Sequence, residues 1–344
     1  MHQIAITGLG FMAVAHLRAL RQLPNARVAA VCNPSGRNLD GDLSRVSGNV
    51  GSTEPVRLDM SEVRAYRDFN EMLADPLITV VDICTPTASH PELTIAALRA
   101  GKHVLCEKPL ARTSVLGREI LAVAKESRGF FMPAMCLRFW PEWAWLQTAI
   151  REGRFGKVLD ARFRRVAQAP GWGQKNYFDG QQSGGALLDL HIHDTDFVQF
   201  CFGRPKSVFS AGHTKISGAI DHIVTLYQVG CGATVSAEGS WSMTEGFGFN
   251  MSYTVNFETA TADYDIARGA DSLKLFECGK EPRVVKCDGI DGYVGEWRHF
   301  LESIEQRRAP GIVTGEDGLS AVEICEAEEL SIRSGIPVAL SSSI

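Results

Sequence analysis

The chain has 344 residues, 45% apolar and 22% charged, with a formal net charge of −5. That length exceeds one ordinary core and predicts two domains. A mildly acidic chain has no field to gather phosphate backbones, which argues against nucleic acid as a partner. No apolar run reaches the roughly 18 residues of a membrane-spanning helix. The nine cysteines are scattered and never form a C-x-x-C pair, and the strand-like run from Gln3 leaves no room for a secretory signal. A soluble, cytoplasmic protein with free thiols is expected.

In chain order, "QIAITGLGFMAVAHLRALRQLP" reads as a buried strand, a glycine turn and a helix from about Met12 to Leu23. "RVAAVCN" is the next strand, and residues 34–58 carry no readable pattern. "YRDFNEMLADP" predicts a short helix, "ITVVDICTP" a strand buried on both faces, and "HPELTIAALRAGKHVLCEKP" a helix followed by a strand. Strands alternating with helices predict an α/β, doubly wound parallel sheet over residues 1–125. Beyond Arg151 the period falls to two. In "KVLDARFRR" Leu159, Ala161 and Phe163 alternate with charged residues, and seven similar runs follow between "KSVFSAGH" and "PRVVKC". Residues 126–344 are therefore expected to form an α+β substrate-binding and oligomerisation domain with a large, mostly antiparallel sheet. Helices are expected near 143–152, 293–306 and 316–334, the last able to pack back on the first domain. Such a sheet needs cover on its second face, so a homodimer or homotetramer is expected.

"GLGFMA" places Gly8, Gly10 and Ala13 in a G-x-G-x-x-A pattern between strand and helix. Gly8 permits the turn, Gly10 lets backbone approach a pyrophosphate, and Ala13 lets helix and strand pack closely. The first helical residues, Phe11 and Met12, carry N–H groups for the phosphates. Such turns meet an acidic residue at the end of the second strand, where here "VCNPSGR" offers Asn33, Ser35 and Arg37. A cation without a repelling carboxylate favours NADP over NAD. The alternative is that Arg37 is a solvated loop residue and Asn33 serves either cofactor. Thr85, Pro86 and His90 follow the next buried strand on the same side, His90 within reach of the nicotinamide end. Glu107 and Lys108 end the strand after that, at the carboxyl edge where open α/β sheets bind ligands. Read alone, Lys108 is an ordinary strand-end lysine.

Taken together, "GLGFMAVAH", "YRDFNEMLADPLITVVDICTPTASHPELTIAALRAGKHVLCEKPLA" and "GGALLDLHIHDTDF", in that order, resemble the Gfo/Idh/MocA family of nicotinamide-dependent oxidoreductases. The resemblance covers almost the whole chain. It implies a dehydrogenase or reductase that transfers a hydride between nicotinamide and a hydroxyl or carbonyl carbon of a sugar, polyol or derivative. Two alternatives remain: a nicotinamide-dependent glycosidase or lyase using transient oxidation, and a non-catalytic nucleotide-binding regulator.

The stretch "GGALLDLHIHDTD" reads as a helix from about Ala186 to Cys201. A metal site would want His191 and His193 side by side, as on a strand, and no metal is expected. On a helix, Asp189, His193 and Asp196 line one stripe and His191 points elsewhere. A merely solvated polar face is the plain alternative. The resemblance implies that Asp189 and His193 are a D-x-x-x-H pair facing the nicotinamide across the domain cleft. His193 is then the general base, Asp189 orients the ring or binds substrate, and Lys108 stabilises charge on the substrate oxygen. His191 stands where many members have glycine and would narrow the pocket, leaving the substrate's identity open. For substrate contacts, "CLRFWPEW" offers Arg138 and Trp140, and "QAPGWGQKNYF" offers Trp172, Lys175, Asn176 and Tyr177, with Trp140 and Trp143 reading better as core.

Overall fold

In a computed structural model, all residues are described except 47, 49–53, 170, 172–177, 288 and 342–344. Trp172, Lys175, Asn176 and Tyr177 therefore lie outside the described residues.

The apolar runs of the first third become short strands: β1 (His2–Thr7), β2 (Ala26–Cys32), β3 (Arg64–Tyr66), β4 (Val80–Ile83), β5 (His103–Glu107) and β6 (Phe131–Ala134). They form one sheet in the order β3-β2-β1-β4-β5-β6, every neighbouring pair parallel. Ile4, Ala5, Ile6, Val80, Val81, Val104 and Leu105 are all fully buried, as strands covered on both faces must be. The helices α1 (Phe11–Leu20), α2 (Phe69–Ala74), α3 (His90–Arg99) and α4 (Ser114–Glu126) connect the strands. Asp68 caps α2 by accepting from the N–H groups of Asn70 and Glu71 at 2.7 and 3.0 Å. The chain winds one way from β1 through β2 to β3 and the other way from β4 to β6. The switch point lies between the carboxyl ends of β1 and β4, where open α/β sheets hold ligands.

A second sheet follows: β7 (Val158–Gln168), β8 (Ser207–His213), β9 (His222–Gln228), β10 (Thr234–Met243), β11 (Phe249–Phe257), β12 (Ala260–Asp265), β13 (Leu273–Glu277), β14 (Arg283–Val284) and β15 (Val338–Ala339). Its order is β14-β13-β12-β11-β7-β10-β9-β8-β15, antiparallel throughout except for the parallel pair β7 and β10. The expected alternation appears in β9, where Ile223, Thr225 and Tyr227 are buried and Val224 and Leu226 exposed. It breaks at the start of β7, where Ala161 and Phe163 turn inward but Leu159 is 53% exposed. The register against β11 slips beside Leu159, and such a bulge takes a residue out of the inward row.

Two helices pack on this sheet: α5 (Pro141–Arg151) and α6 (Ile192–Phe202). Trp143 of α5 is fully buried and ringed by Phe163, Phe197, Tyr253 and Tyr264, with centroids 4.8 to 6.0 Å away. Two further helices are α7 (Gly292–Glu305) and α8 (Gly315–Ser334). The chain divides into two compact units, Met1–Phe139 with Ile290–Leu319 and Trp140–Gly289 with Ser320–Ile344. The first unit thus holds β6 and α7 as well as the residues before 125. Among the described residues, no helix is long and apolar enough to cross a membrane.

Candidate active site

In the first unit the chain leaves β1 through Gly8, whose φ of +83° is a left-handed conformation. A Cβ there would stand 2.7 Å from the carbonyl oxygen of Cys84 and 2.8 Å from Cγ2 of Thr85. Gly10, in extended conformation at the N-cap of α1, has nothing within 4 Å of the place a Cβ would take. The helix begins without a side-chain cap and without an acidic residue in its first turn. A helix start of this kind carries the partial positive charge that suits an anion, while Ala13 is fully buried against the sheet. These features fit the pyrophosphate of a dinucleotide. Thr85 accepts from the Ser89 hydroxyl at 2.8 Å, and Pro86 opens a single 3-10 turn, Thr87–Ser89.

After β2, Asn33 builds the turn that carries Arg37. Its Oδ1 accepts from the N–H and hydroxyl of Ser35 at 3.2 and 2.8 Å, and its Nδ2 donates to the Arg37 carbonyl at 2.8 Å. Ser35 Oγ accepts from the N–H and Nε of Arg37, both at 3.3 Å. A second cation stands here that sequence reasoning missed. Arg67 follows β3 directly, and its Nη2 lies 2.7 Å from where a Cβ on Gly36 would be, so its guanidinium covers that glycine. Both arginines are exposed. The signal for Arg67 was hidden because β3 spans three residues and has no apolar pattern.

At the end of β5, Glu107 is 5% exposed and its Oε2 accepts the Lys108 N–H at 3.1 Å. Lys108 is half-buried and its bond to Pro109 is cis. Glu107 Oε1 lies 3.2 Å from Nε2 of the fully buried His16 on α1, an ion pair off the line of a good hydrogen bond. His16 Nδ1 donates to both oxygens of Asp82 on β4, at 3.0 and 2.9 Å. Burial alone would lower the His16 pKa, but the charge of Asp82 holds it well above its ordinary value. His16, Asp82 and the Cys84 thiol bring three donor atoms within 4.8 Å of one another. Burial and the Asp82 charge push that thiol well up, so it keeps its proton.

Two sequence expectations change here. His90 is 1% exposed, with Nδ1 2.8 Å from the Pro109 carbonyl and Nε2 2.8 Å from that of Thr85. Both ring nitrogens face backbone, so His90 joins two loops and offers no ring atom to a nicotinamide. Burial lowers its pKa, against the pull of the two carbonyls. Arg138 is 4% exposed, donates to the Ile312 carbonyl at 2.7 Å and lies 3.1 Å from Asp317. Its guanidinium ties together distant parts of the first unit and is not displayed to a substrate.

In the second unit the glycine-led stretch is not a plain α-helix. Leu187–His191 form a π turn that runs into α6. Such turns close on i→i+5, so residues four apart stay on one side. Asp189, Leu190 and His193 are half-buried, whereas Leu187, Leu188, His191, Ile192 and Asp194 are buried. Asp196 leaves the expected stripe, being 1% exposed and accepting from Gln199 at 3.0 Å. The widened turn shifts the faces that follow it. His191 is fully buried, with Nε2 3.2 Å from Glu328 and 3.1 Å from the Tyr227 hydroxyl. Tyr227 donates to Glu328 at 2.6 Å. A Cβ on Gly239 of β10 would stand 2.5 Å from His191 Cβ, so that glycine makes the imidazole's room. His191 supports the turn from beneath and does not narrow a pocket. Asp194 accepts from Arg165 at 2.8 Å, and that guanidinium lies 5.5 Å from the Trp143 ring centroid.

Residues 2–134 match a family model described as oxidoreductase family, NAD-binding Rossmann fold, and residues 143–263 match the GFO/IDH/MocA C-terminal domain. The chain is 25% identical over 362 residues to myo-inositol 2-dehydrogenase of Thermotoga maritima, covering 99% of each protein. It is 37% identical over 160 residues to 1,5-anhydro-D-fructose reductase of Ensifer adhaerens, across 45% of this chain and 47% of that one. Levoglucosan dehydrogenase, solved with NADH and levoglucosan, shares the fold with a TM-score of 0.86 at 21% identity, covering 99% of this chain and 100% of its own.

Glu296 of α7 adds a third carboxylate near His16. It is fully buried, and among the described residues neither of its oxygens has a hydrogen-bond partner. Burial raises its pKa well above the ordinary 4.5, the His16 charge opposing and Glu107 and Asp82 reinforcing. A raised carboxyl pKa stabilises the fold below the unfolded value and loses that contribution as pH climbs towards the folded one. Glu296→Gln should therefore raise the urea midpoint at pH 8, with the gain shrinking to nothing as pH falls below 4.5. Urea titrations across pH check this; a variant less stable than the parent at pH 8 contradicts it.

Proposed function

Because the chain belongs to the GFO/IDH/MocA family of oxidoreductases, we propose that it moves a hydride between NAD(P) and a hydroxyl-bearing carbon of a sugar or polyol. The observation that carries this reading is the uncapped start of α1 beside the open space at Gly10. The polyol class rests on the relatives, whose names give myo-inositol and levoglucosan as what they act on.

The nicotinamide, when bound, accepts or gives the hydride. The first-turn N–H groups of α1 hold the pyrophosphate, and Gly8 and Gly10 let it approach the backbone. His193, half-buried and so still reached by water, takes the hydroxyl proton in oxidation and returns it in reduction. Asp189, on the same side of the turn, orients the imidazole or the substrate. The Lys108 ammonium donates to the substrate oxygen as charge develops there. Glu107 orients Lys108, while Thr85 and Pro86 border the nucleotide. The cytoplasm as its compartment rests on the free cysteines.

His193→Ala should abolish turnover of polyols such as myo-inositol while leaving nucleotide dissociation constants nearly unchanged. Equal loss of nucleotide affinity would remove His193 from this role. Lys108→Ala should lower kcat by a factor on the order of 100, and a near-normal rate would make it a plain strand-end residue.

For the cofactor, NADP is the favoured partner. Arg37 and Arg67 flank one glycine turn that has Asn33 in place of an acid. Arg37→Ala and Arg67→Ala should each weaken NADP by about 1.5 to 3 kcal/mol and leave NAD unchanged. Asn33→Asp should move the preference towards NAD by adding a ribose acceptor and a repelling charge. Tighter binding of NAD than NADP by the unmodified protein, indifferent to both arginine variants, would overturn the preference.

Assembly follows from the outer face of the second sheet. Phe209 of β8 and Val224 and Leu226 of β9 are 42%, 39% and 49% exposed, and Phe209 lies opposite Leu226. An apolar row of this kind is covered in a homodimer or a dimer of dimers. Light scattering at micromolar concentration should report one of these, and a monomer would contradict the proposal.

A further inference from the structure

The charge cluster behind the nucleotide turn is placed unlike an ordinary stabilising contact. Within the first unit, His16 and Asp82 are fully buried and Glu107 nearly so. Tyr293 and Trp297 of α7 close over the His16 ring, at centroid distances of 6.0 and 5.7 Å. The titratable groups around that ring are Asp82 and Cys84 from β4 and its end, Glu107 from β5, and Tyr293 and Glu296 from α7. Burying an imidazolium between carboxylates stabilises a fold no better than apolar side chains of the same volume would, so stability alone is a poor account of it. What the cluster does provide is direction. Asp82 takes Nδ1 on both its oxygens, which sets the plane of the ring. The other nitrogen faces Glu107 Oε1 at 3.2 Å, and Glu107 Oε2 accepts the Lys108 N–H at 3.1 Å. The line of contacts starts on β4, passes through the helix that begins at the nucleotide turn, and ends on the backbone of Lys108.

We infer that His16 is a positioning residue: pinned by Asp82, it holds the Glu107 carboxylate in place, and that carboxylate fixes the backbone from which Lys108 projects. This rests on the reading of Lys108 as the donor to the substrate oxygen. His16 touches neither substrate nor cofactor. It keeps the lysine's starting point in register with the helix that carries the nucleotide, and an error of an ångström at such a point costs about 100-fold in rate. With glutamine at 16, two buried carboxylates lose the cation between them. Glu107 then has reason to swing away from Asp82 and release the Lys108 N–H. Making residue 107 a neutral glutamine as well removes the repulsion and leaves an acceptor for that N–H.

The test uses the full-length protein as His16→Gln, Glu107→Gln, the double variant, and Asp82→Asn as a second route to the same loss. Hydrogen exchange of peptides spanning residues 104–110 should speed up in His16→Gln and Asp82→Asn. Exchange in β1 and the urea midpoint show whether the rest of the unit stays folded. In His16→Gln, kcat should fall about tenfold or more, with NADP and NAD dissociation constants within about threefold of the parent's. The double variant should regain both slow exchange at 104–110 and most of kcat, a recovery that a purely structural role would not produce. Unchanged exchange at 104–110 in a folded His16→Gln overturns the inference, as does a double variant worse than either single one. Lys108→Met, measured in parallel, separates the two readings. Near-normal kcat in Lys108→Met defeats the role of Lys108 and this inference with it, whereas a slow Lys108→Met beside a normal His16→Gln defeats the inference alone.

Discussion

Where β1 ends, the carbonyl of Cys84 passes so close that a Cβ on Gly8 would stand 2.7 Å from its oxygen. No side chain fits there unless β1 and β4 part, and no L side chain readily adopts the +83° φ. This close approach governs the geometry of the first unit. It lets the chain reverse at once, so α1 starts at the carboxyl edge of the sheet with a glycine, Gly10, at its N-cap. It also sets the phase of α1, and with it the side on which His16 meets Asp82 and Glu107. One missing methyl group thus permits both the tight turn and the helix start that follows it.

Much of this was legible because burial writes a one-dimensional pattern. Runs such as "IAIT" and "VVDI" are apolar at nearly every position because helices cover both faces, and β9 alternates because one of its faces is outward. Partners write no such pattern. Arg138 looks like a site residue beside Trp140, yet it is paired with Asp317, far away along the chain. His191 could be read only as a departure from glycine, since its acceptor, Glu328, sits on a different helix. Arg67 was invisible because its strand has no buried residue to announce it. The parallel pairing of β7 with β10 is likewise a long-range choice that the alternation of either strand leaves open.

The π turn at Leu187–His191 shows how a small irregularity moves a functional surface. A regular helix would have kept Asp189, His193 and Asp196 in one stripe. The wider turn leaves the first two half-exposed and sends Asp196 inward. Such a turn is less stable than α-helix and persists where its surroundings hold it. Here the holding is polar: His191 on Glu328 and Tyr227 below the turn, and Asp194 on Arg165 just beyond it.

Both units therefore repeat one arrangement. The residues proposed for chemistry, Lys108 in one and Asp189 and His193 in the other, keep partial exposure, as groups that exchange protons or meet a substrate must. Next to each lies a buried, charged or hydrogen-bonded set. Buried polar sets are expensive when incomplete and directional when complete. An apolar core would support these backbones with equal strength but would tolerate small slips of a turn or strand end. A hydrogen bond of 2.9 Å between buried partners does not. Such contacts stand beside Lys108 and beneath the Asp189–His193 turn, while aromatic rings pack around Trp143 elsewhere in the second unit.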